Sequence, residues 1–288
     1  MPLDYVTDDK KPLFTLDSNI DFKLQFELTK FSKKKYVINE DTGEYLGVVG
    51  DTFSCASHGD FFRGVEEVIQ QNRTSSELAD AKVSTRTARN NAWALLDVTL
   101  PNVSTTITTK KHETIIYERL IALHGVDGSC SNQVFFGGID DYCTNGQVSG
   151  EHDKIKKKNS ANFCIERFIQ ELKQARQNFY ATSLQLQAWA DKDMPVLMDV
   201  LPILKAIIGS DKKAEKMYGL YSQEVATRGR NMFSLYSAFT NYSSYADERN
   251  GFSLRNTGND TNAESMWTRE QEVTKWISSP TFKQLEVI

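Results

Sequence analysis

The spacing of apolar residues changes at about Gly150, and this change constrains the fold more than any other feature of the chain. Before it, apolar residues alternate with polar ones or form short Thr-, Ile- and Val-rich runs between Gly and Asp turns, which is typical of strands. After it, they recur every three or four positions, which is typical of helices. We therefore predict an α+β protein, in which residues 1–150 form an antiparallel sheet with a packed helix and residues 151–288 form a largely helical region packed on that core.

The first 70 residues carry clear strand, turn and helix signals. Alternation of Phe22, Leu24, Phe26 and Leu28 predicts a half-buried strand. Two β-rich runs flank Glu40–Gly43, where Asp and Gly suit the tight turn of a hairpin. The run FFRGVEEVIQQ that follows has helical spacing. These signals predict a hairpin followed by one amphipathic helix.

A second set of strands is predicted between residues 91 and 150. The apolar run NAWALLDVTL predicts a buried strand that ends at Pro101, because proline cannot donate a hydrogen bond to a neighbouring strand. Beyond it, β-rich segments are separated by GVDGS, by a Gly pair and by TNG, which are turn sequences. The N-terminal half is therefore expected to hold a central sheet as well as the hairpin.

Charge and cysteine usage limit the class of protein. With 34 Lys and Arg against 38 Asp and Glu, the net charge is -4, so any contact with a polyanion must be local. No apolar run approaches the roughly 18 residues of a membrane span, and the acidic N-terminus does not resemble a secretory signal. Four scattered cysteines do not suggest a disulfide framework. We expect a cytoplasmic protein with no membrane partner.

Sequence motifs for enzyme chemistry are missing. The chain has no phosphate-binding loop, dinucleotide fingerprint, nucleophile elbow or zincin helix, so we predict no catalytic residue and no cofactor. Cys55 and His58 form one metal-like pair, whereas zinc sites usually need two, so no metal site is predicted. Asp140 and Asp141 leave open a metal-dependent nuclease. Cys143 with His124 could in principle form a nucleophile and base.

Basic residues occur in clusters beside aromatic or strand-forming residues, and this pattern has two interpretations. The clusters are Lys33–Lys35, Arg86 with Arg89, Lys110 with Lys111, and Lys154 with Lys156–Lys158. Single-stranded nucleic acid is bound by cations that follow the phosphates and aromatic rings that stack on bases. Lysines beside strands also protect sheet edges and keep a surface soluble. The clusters alone do not decide between these roles.

The segment HGVDGSCSNQVFFGGIDDYCTNGQVSG resembles the central signature of a phage- and plasmid-borne family known as domain of unknown function 932. The match is carried by Asp127, Gly128, Ser129, Phe135, Phe136, Gly138, Cys143, Thr144, Asn145 and Gly146. The hairpin YLGVVGDTF, the strand RNNAWALLDVTLP and the C-terminal SLYSAFTNYSSYADE and Trp267 regions look similar as well. The chain departs from the pattern at Asp140-Asp141, where Arg or an apolar residue is expected. The resemblance implies a mobile-element origin, a bacterial host cell and work on the element's DNA.

The predicted hairpin, helix and returning strands also resemble the core of the single-strand annealing superfamily, whose members form rings or helical assemblies around single-stranded DNA. This resemblance implies a homo-oligomer that binds and anneals single-stranded DNA in recombination. It assigns phosphate contacts to Arg86, Arg89, Lys110, Lys111, Arg119, Lys154, Lys156, Lys157 and Lys158, and stacking to Tyr117, Phe135 or Tyr142. Asp127, Gly128, Asn145 and Gly146 are expected to shape turns. The main alternative is a non-enzymatic phage structural or interaction protein.

Overall fold

The computed structural model describes residues 11–30, 33–140, 146–148, 154–157, 179–245 and 263–287. The strands are β1 (Leu24–Leu28), β2 (Lys34–Asn39), β3 (Tyr45–Gly50), β4 (Lys82–Ala88), β5 (Trp93–Thr108), β6 (Glu113–Gly125), β7 (Asn132–Asp140), β8 (Gly146–Val148) and β9 (Lys154–Lys157). The helices are α1 (His58–Gln71), α2 (Ser75–Leu78), α3 (Phe179–Asp191), α4 (Val200–Ile208), α5 (Asp211–Arg228), α6 (Met232–Tyr245), α7 (Ala263–Ile277) and α8 (Pro280–Leu285). The predicted α+β class, with antiparallel sheets first and helices after them, is confirmed.

The strands form two antiparallel sheets. The smaller has the order β1-β2-β3, and its β2–β3 connection is the predicted hairpin, with Gly43 at a φ of 74°. The larger has the order β4-β5-β6-β7, and β8 and β9 both pair with the far side of β7. Because β9 lies beyond residue 150, the sheet extends a few residues into the region predicted as helical.

Strand β5 does not end at Pro101, contrary to the sequence prediction. Its pairing with β6 shifts register between Leu100 and Ser104, and its pairing with β4 ends at Thr99. Pro101 therefore lies in an interruption of the ladder, where its missing N–H leaves no strand partner unsatisfied. The strand continues to Thr108, which makes it 16 residues long.

Both faces of the larger sheet are buried, which explains the unbroken apolar run in β5. Helix α1 covers one face, where Phe62 and Val68 are buried against alternate residues of β5, β6 and β7. The other face packs against the smaller sheet and against Trp267 of α7. Apolar side chains are therefore needed at successive positions of the central strands.

The C-terminal helices share a separate apolar cluster that reaches the far end of the larger sheet. It contains Phe233 and Phe239 of α6 together with Ile107 of β5 and Ile116 of β6. The opposite end of the sheet, where Trp93 pairs with Gly125, carries the β4–β5 and β6–β7 turns. The larger sheet therefore has a bundle end, which packs against the C-terminal helices, and a turn end, which carries the β4–β5 and β6–β7 turns.

Candidate nucleic-acid interface

The β6–β7 turn is held by the Asp-Gly-Ser segment that carried the family resemblance. The Asp127 carboxylate accepts hydrogen bonds from the Ser129 N–H (2.9 Å) and from the Trp93 indole (3.2 Å). The same indole lies 2.7 Å from the Ser129 hydroxyl, and Gly128 has a φ of 76°. The turn is thereby fixed to the start of β5, in line with a turn-shaping role for Asp127 and Gly128.

A polar cleft of about 420 Å³ lies between this turn and helix α7. Its lining residues are Trp93, Gly128, Ser129, Cys130, Ser131, Gln133, Glu264, Trp267, Thr268 and Gln271. They supply hydroxyl and amide groups beside two indole rings, together with one carboxylate. The cleft is therefore suited to an uncharged ligand that offers several hydrogen-bonding groups.

Gln133 lines the cleft, and the oxygen of its side-chain amide lacks a hydrogen-bond partner in the described part of the chain. Its side chain is buried, with 3% of the residue exposed, and its Oε1 atom has no hydrogen-bond partner among the residues that the structure describes. Buried polar atoms in folded proteins are nearly always paired with protein or ordered water. Such an atom at a cleft is a candidate for ligand recognition.

Arg89 lies at the turn end of the sheet beside the cleft. Its guanidinium donates two hydrogen bonds to the Glu264 carboxylate, at 3.1 and 2.7 Å, and lies 4.5 Å from the centre of the Trp93 ring. The hydrogen bonds from Arg89 lower the pKa of the Glu264 carboxyl, and those to Glu264 raise the pKa of Arg89. Arg89 thus neutralises the one carboxylate of the cleft.

Strand β9 brings a run of lysines to the same part of the sheet. In the backbone register, Lys156 lies opposite Gln133, Lys154 opposite Phe135, and Lys157 opposite Asn132. Lys158 and Tyr142 lie outside the described residues. The predicted cluster around Lys154–Lys157 is therefore next in the sheet to the strand that lines the cleft.

Arg119 and Phe135, which the resemblance assigned to DNA, are buried in the protein. The Arg119 guanidinium donates to the Asp97 carboxylate at 2.9 and 2.7 Å and lies 3.5 Å from Glu270. Phe135 is 1% exposed, with its ring 4.7 Å from that of Trp267. Neither residue lines the cleft, and both side chains are engaged in holding α7 on the sheet.

Lys110 and Lys111 lie at the bundle end, away from the cleft. Lys110 forms an ion pair with Asp193, and the Lys111 ammonium is 3.4 Å from the Val225 carbonyl oxygen. The 16 residues of β5 separate them from Trp93, which at about 3.3 Å per residue is roughly 50 Å. The structure therefore does not bring this pair together with Arg89.

Arg86 and Tyr117 are half-buried on β4 and β6 and make contacts within the protein. Arg86 pairs in register with Leu95, and Tyr117 with Ser104 and Ile139. Neither residue lines the cleft. Their assignment to DNA remains a prediction.

The metal and nucleophile hypotheses gain no support among the described residues, in which no three His, Cys, Asp or Glu side chains group as a metal site. Burial raises the pKa of the Cys55 thiol to about 12, so the folded protein holds it as the thiol at neutral pH. His58 instead contacts His124, with 2.7 Å between their Nδ1 atoms. Asp141 and Cys143 lie outside the described residues.

The residues of α7 that line the cleft were not predicted as site residues from the sequence. Glu264, Trp267, Thr268 and Gln271 follow a spacing of three and four, so a helical face was readable. Nothing local indicates that this face lies opposite the β6–β7 turn, more than 130 residues earlier. Gln133 was missed because an amide in a strand gives no signal by itself.

No family model, curated protein or solved structure matches this chain. Among the residues that the structure describes, no helix combines the length and apolar character needed to cross a membrane.

Proposed function

We propose that this protein binds single-stranded DNA and promotes annealing in recombination, as a homo-oligomer and without a catalytic residue. The observation that carries the proposal is the cleft, which is lined by hydroxyl, amide and indole groups. Arg89 lies beside it, against the Trp93 ring, and β7, which contributes Gln133 to the cleft, pairs with the lysine-rich strand β9. Uncharged hydrogen-bonding groups suit bases, and adjacent cations suit the phosphates that link them. This combination supports nucleic acid better than a wholly apolar or wholly anionic ligand.

Annealing asks little chemistry of the protein. One strand must be held by its phosphates while base edges stay accessible, and the duplex that forms is more stable than the separate strands. In an oligomer, many weak contacts along one strand add through effective concentration. A modest site in each subunit is therefore sufficient, which agrees with the small number of cations at the turn end.

The proposed interface is narrower than the one expected from the sequence. It keeps the β9 lysines, with Lys158 and Tyr142 as predictions beyond the described residues. It also keeps Arg89, whose side chain is 42% exposed although it pairs with Glu264. It leaves out Arg119, Phe135 and the Lys110–Lys111 turn because of their burial or position. The net charge of -4 is compatible with this proposal, which requires only a local group of cations at one end of the sheet.

Replacement of Lys156, Lys157 and Lys158 with Ala is expected to weaken binding to single-stranded DNA without lowering thermal stability. Each phosphate contact on a single strand contributes about 0.7 to the slope of log affinity against log salt. Loss of three contacts should therefore make the slope shallower by about two. Fluorescence anisotropy with a labelled oligonucleotide at several salt concentrations measures this slope.

The control removes two exposed cations from the helices, Lys212 of α5 and Lys283 of α8, by substitution with Ala. This variant should retain the salt dependence of the unmodified protein, because both lysines belong to the C-terminal helices and neither lines the cleft. Equal slopes for all three proteins would remove the β9 lysines from the interface.

A second candidate function, protein interaction, is favoured by an exposed apolar turn between α3 and α4. Val196 and Leu197 are 84% and 98% exposed. The turn is held by a hydrogen bond from the Met198 N–H to the Pro195 carbonyl (3.0 Å). Arg230 also donates to the Pro195 carbonyl at 3.2 Å and to the Met198 carbonyl at 2.5 Å. A fixed turn that presents two apolar side chains to water suits insertion into another subunit.

The double substitution Val196→Ser and Leu197→Ser is expected to lower the association state measured by light scattering. The free energy of unfolding should change little, because both side chains are exposed in the single chain. Leu184→Ser, at a 55% exposed position on α3, serves as the control. An unchanged molar mass in the double variant would show that this turn does not mediate self-association.

A further inference from the structure

Gln133 is in an unusual position for a side-chain amide. It is the second residue of β7, between Leu123 of β6 and Lys156 of β9 in register, and is 3% exposed. Its Oε1 has no partner among the described residues, so the folded protein bears the desolvation cost of that oxygen. An apolar residue of similar size would avoid this cost, which indicates that the amide serves something other than stability.

The surroundings of Gln133 define what the amide could bind. The cleft provides the Ser131 and Thr268 hydroxyls, the Gln271 amide and the edges of two tryptophans, while its carboxylate is already bound by Arg89. A planar ligand with donor and acceptor groups on one edge meets these groups. A divalent cation does not, because it needs clustered carboxylate or carbonyl oxygens.

We propose that the cleft receives one nucleobase of the bound strand and that the Gln133 amide recognises the hydrogen-bonding edge of that base. This inference rests on the proposed single-stranded DNA binding. Because annealing needs the Watson–Crick edge of the base to stay free, the amide is expected to contact the Hoogsteen edge. On that edge adenine offers its amino group and a ring nitrogen, so a side-chain amide pairs with it in a bidentate manner, whereas thymine offers only the acceptor O4 and a methyl group. The expected preference is for adenine over thymine.

The test compares binding of labelled oligo-dA and oligo-dT of equal length to the unmodified protein and to Gln133→Leu. We expect the unmodified protein to bind oligo-dA roughly fivefold or more tightly, the lower range for a bidentate amide contact. Gln133→Leu should lose this preference while keeping its affinity for oligo-dT. It should also unfold at an equal or higher temperature, because the unpartnered oxygen is removed.

Two further variants make the outcome specific. Gln223→Leu, the same change at an exposed position on α5, should keep the preference for oligo-dA. Thr268→Trp, at an exposed position on the cleft side of α7, should occlude the cleft and reduce oligo-dA binding more than oligo-dT binding. Thr268 lies on the surface, so this variant tests the cleft without altering the core.

The possible failures are distinguishable. Equal binding of the two oligonucleotides by the unmodified protein, or a preference that survives in Gln133→Leu, would overturn the base contact and leave the proposed function standing. Reduced stability of Gln133→Leu with equal losses for both oligonucleotides would show a structural role and overturn it as well. Absence of any salt-dependent binding by the unmodified protein would overturn the proposed function together with this inference.

Discussion

Substitution of Glu224 by Gln is expected to lower the free energy of unfolding by about 3–5 kcal/mol, the usual cost of breaking a buried ion pair from one side. Glu224 of α5 forms an ion pair with Arg228, which is 0% exposed. The Arg228 Nε also lies 3.3 Å from the Thr114 hydroxyl of β6, so the pair connects the bundle to the sheet. The variant would remove the Glu224 carboxylate from beside the buried Arg228 guanidinium. Urea unfolding measures the loss.

The double variant Glu224→Leu with Arg228→Met should recover most of this stability, because it removes both charges and leaves apolar volume. Asp211→Asn provides the surface comparison, since Asp211 lies 3.4 Å from Lys205 with its side chain 76% exposed. That change should cost less than about 1 kcal/mol. A loss of similar size in Glu224→Gln and Asp211→Asn would contradict the importance assigned to burial.

Acidification from pH 6.5 to pH 4 is expected to remove about 3 kcal/mol or more of stability through His58 and His124. Burial lowers the pKa of His58 to about 4 and that of His124 well below its usual value. Below pH 6.5 the two histidines become protonated in the unfolded chain but stay neutral in the folded protein. Stability therefore falls as the pH falls toward the folded-state pKa of His58. Lowering the pKa of His58 from 6.5 to about 4 corresponds to a change of about 3 kcal/mol in the free energy of unfolding.

The hydrogen-bond directions explain why this pair must stay neutral. The His58 Nε2 lies 2.9 Å from the Asn91 carbonyl oxygen, which only accepts, so His58 carries its proton on Nε2. Its Nδ1 therefore accepts from the Nδ1–H of His124, 2.7 Å away. The remaining His124 Nε2 is buried with no partner in the described part of the chain. A further proton on either ring would break the pair or introduce an unpaired charge.

The titration of Glu270 changes stability in the opposite direction to that of the histidines, so the two contributions must be measured separately. Burial raises the pKa of its carboxyl to about 7, although Arg119 nearby favours the charged form. Between pH 7 and 4.5 the folded state thus holds a proton that the unfolded state releases, and this contribution to stability increases on acidification. A His58→Leu and His124→Phe double variant retains Glu270. The difference in free energy of unfolding between this variant and the unmodified protein, measured across the pH range, therefore reports the histidines alone. A difference independent of pH would refute the prediction.

Local features of the chain were read correctly where contacts are local. The β2–β3 hairpin depends on a turn with Gly43 at a φ of 74°, which follows from the conformational freedom of glycine. Pro101 was misread because the interruption that accommodates it is a property of the pairing between β5 and β6. A single strand sequence does not contain that information.

The site was less predictable than the fold. The sequence analysis singled out the Asp-Gly-Ser turn, Arg89 and the lysines of β9. Gly128 and Ser129 of the turn line the cleft, Arg89 binds the cleft residue Glu264, and the β9 backbone pairs with the strand that holds Gln133. The partners that change the role of each cation come from distant segments. Arg89 is bound by Glu264, 175 positions away, and Arg119 by Asp97 on the neighbouring strand. A cation in a basic cluster can therefore be a phosphate ligand or a structural ion pair, and composition does not distinguish them.

The amino-acid sequence by itself determined the change from strands to helices, the hairpin turn and the apolar face of α1, because these depend on side-chain spacing and on the backbone preferences of neighbouring residues. Only the tertiary structure decided which charges remain accessible, since burial and pairing arise between residues far apart in the chain. It buried Arg119 and Phe135, separated Lys110 from Arg89 by the length of β5, and brought α7 against the β6–β7 turn. The cleft exists only through that last contact.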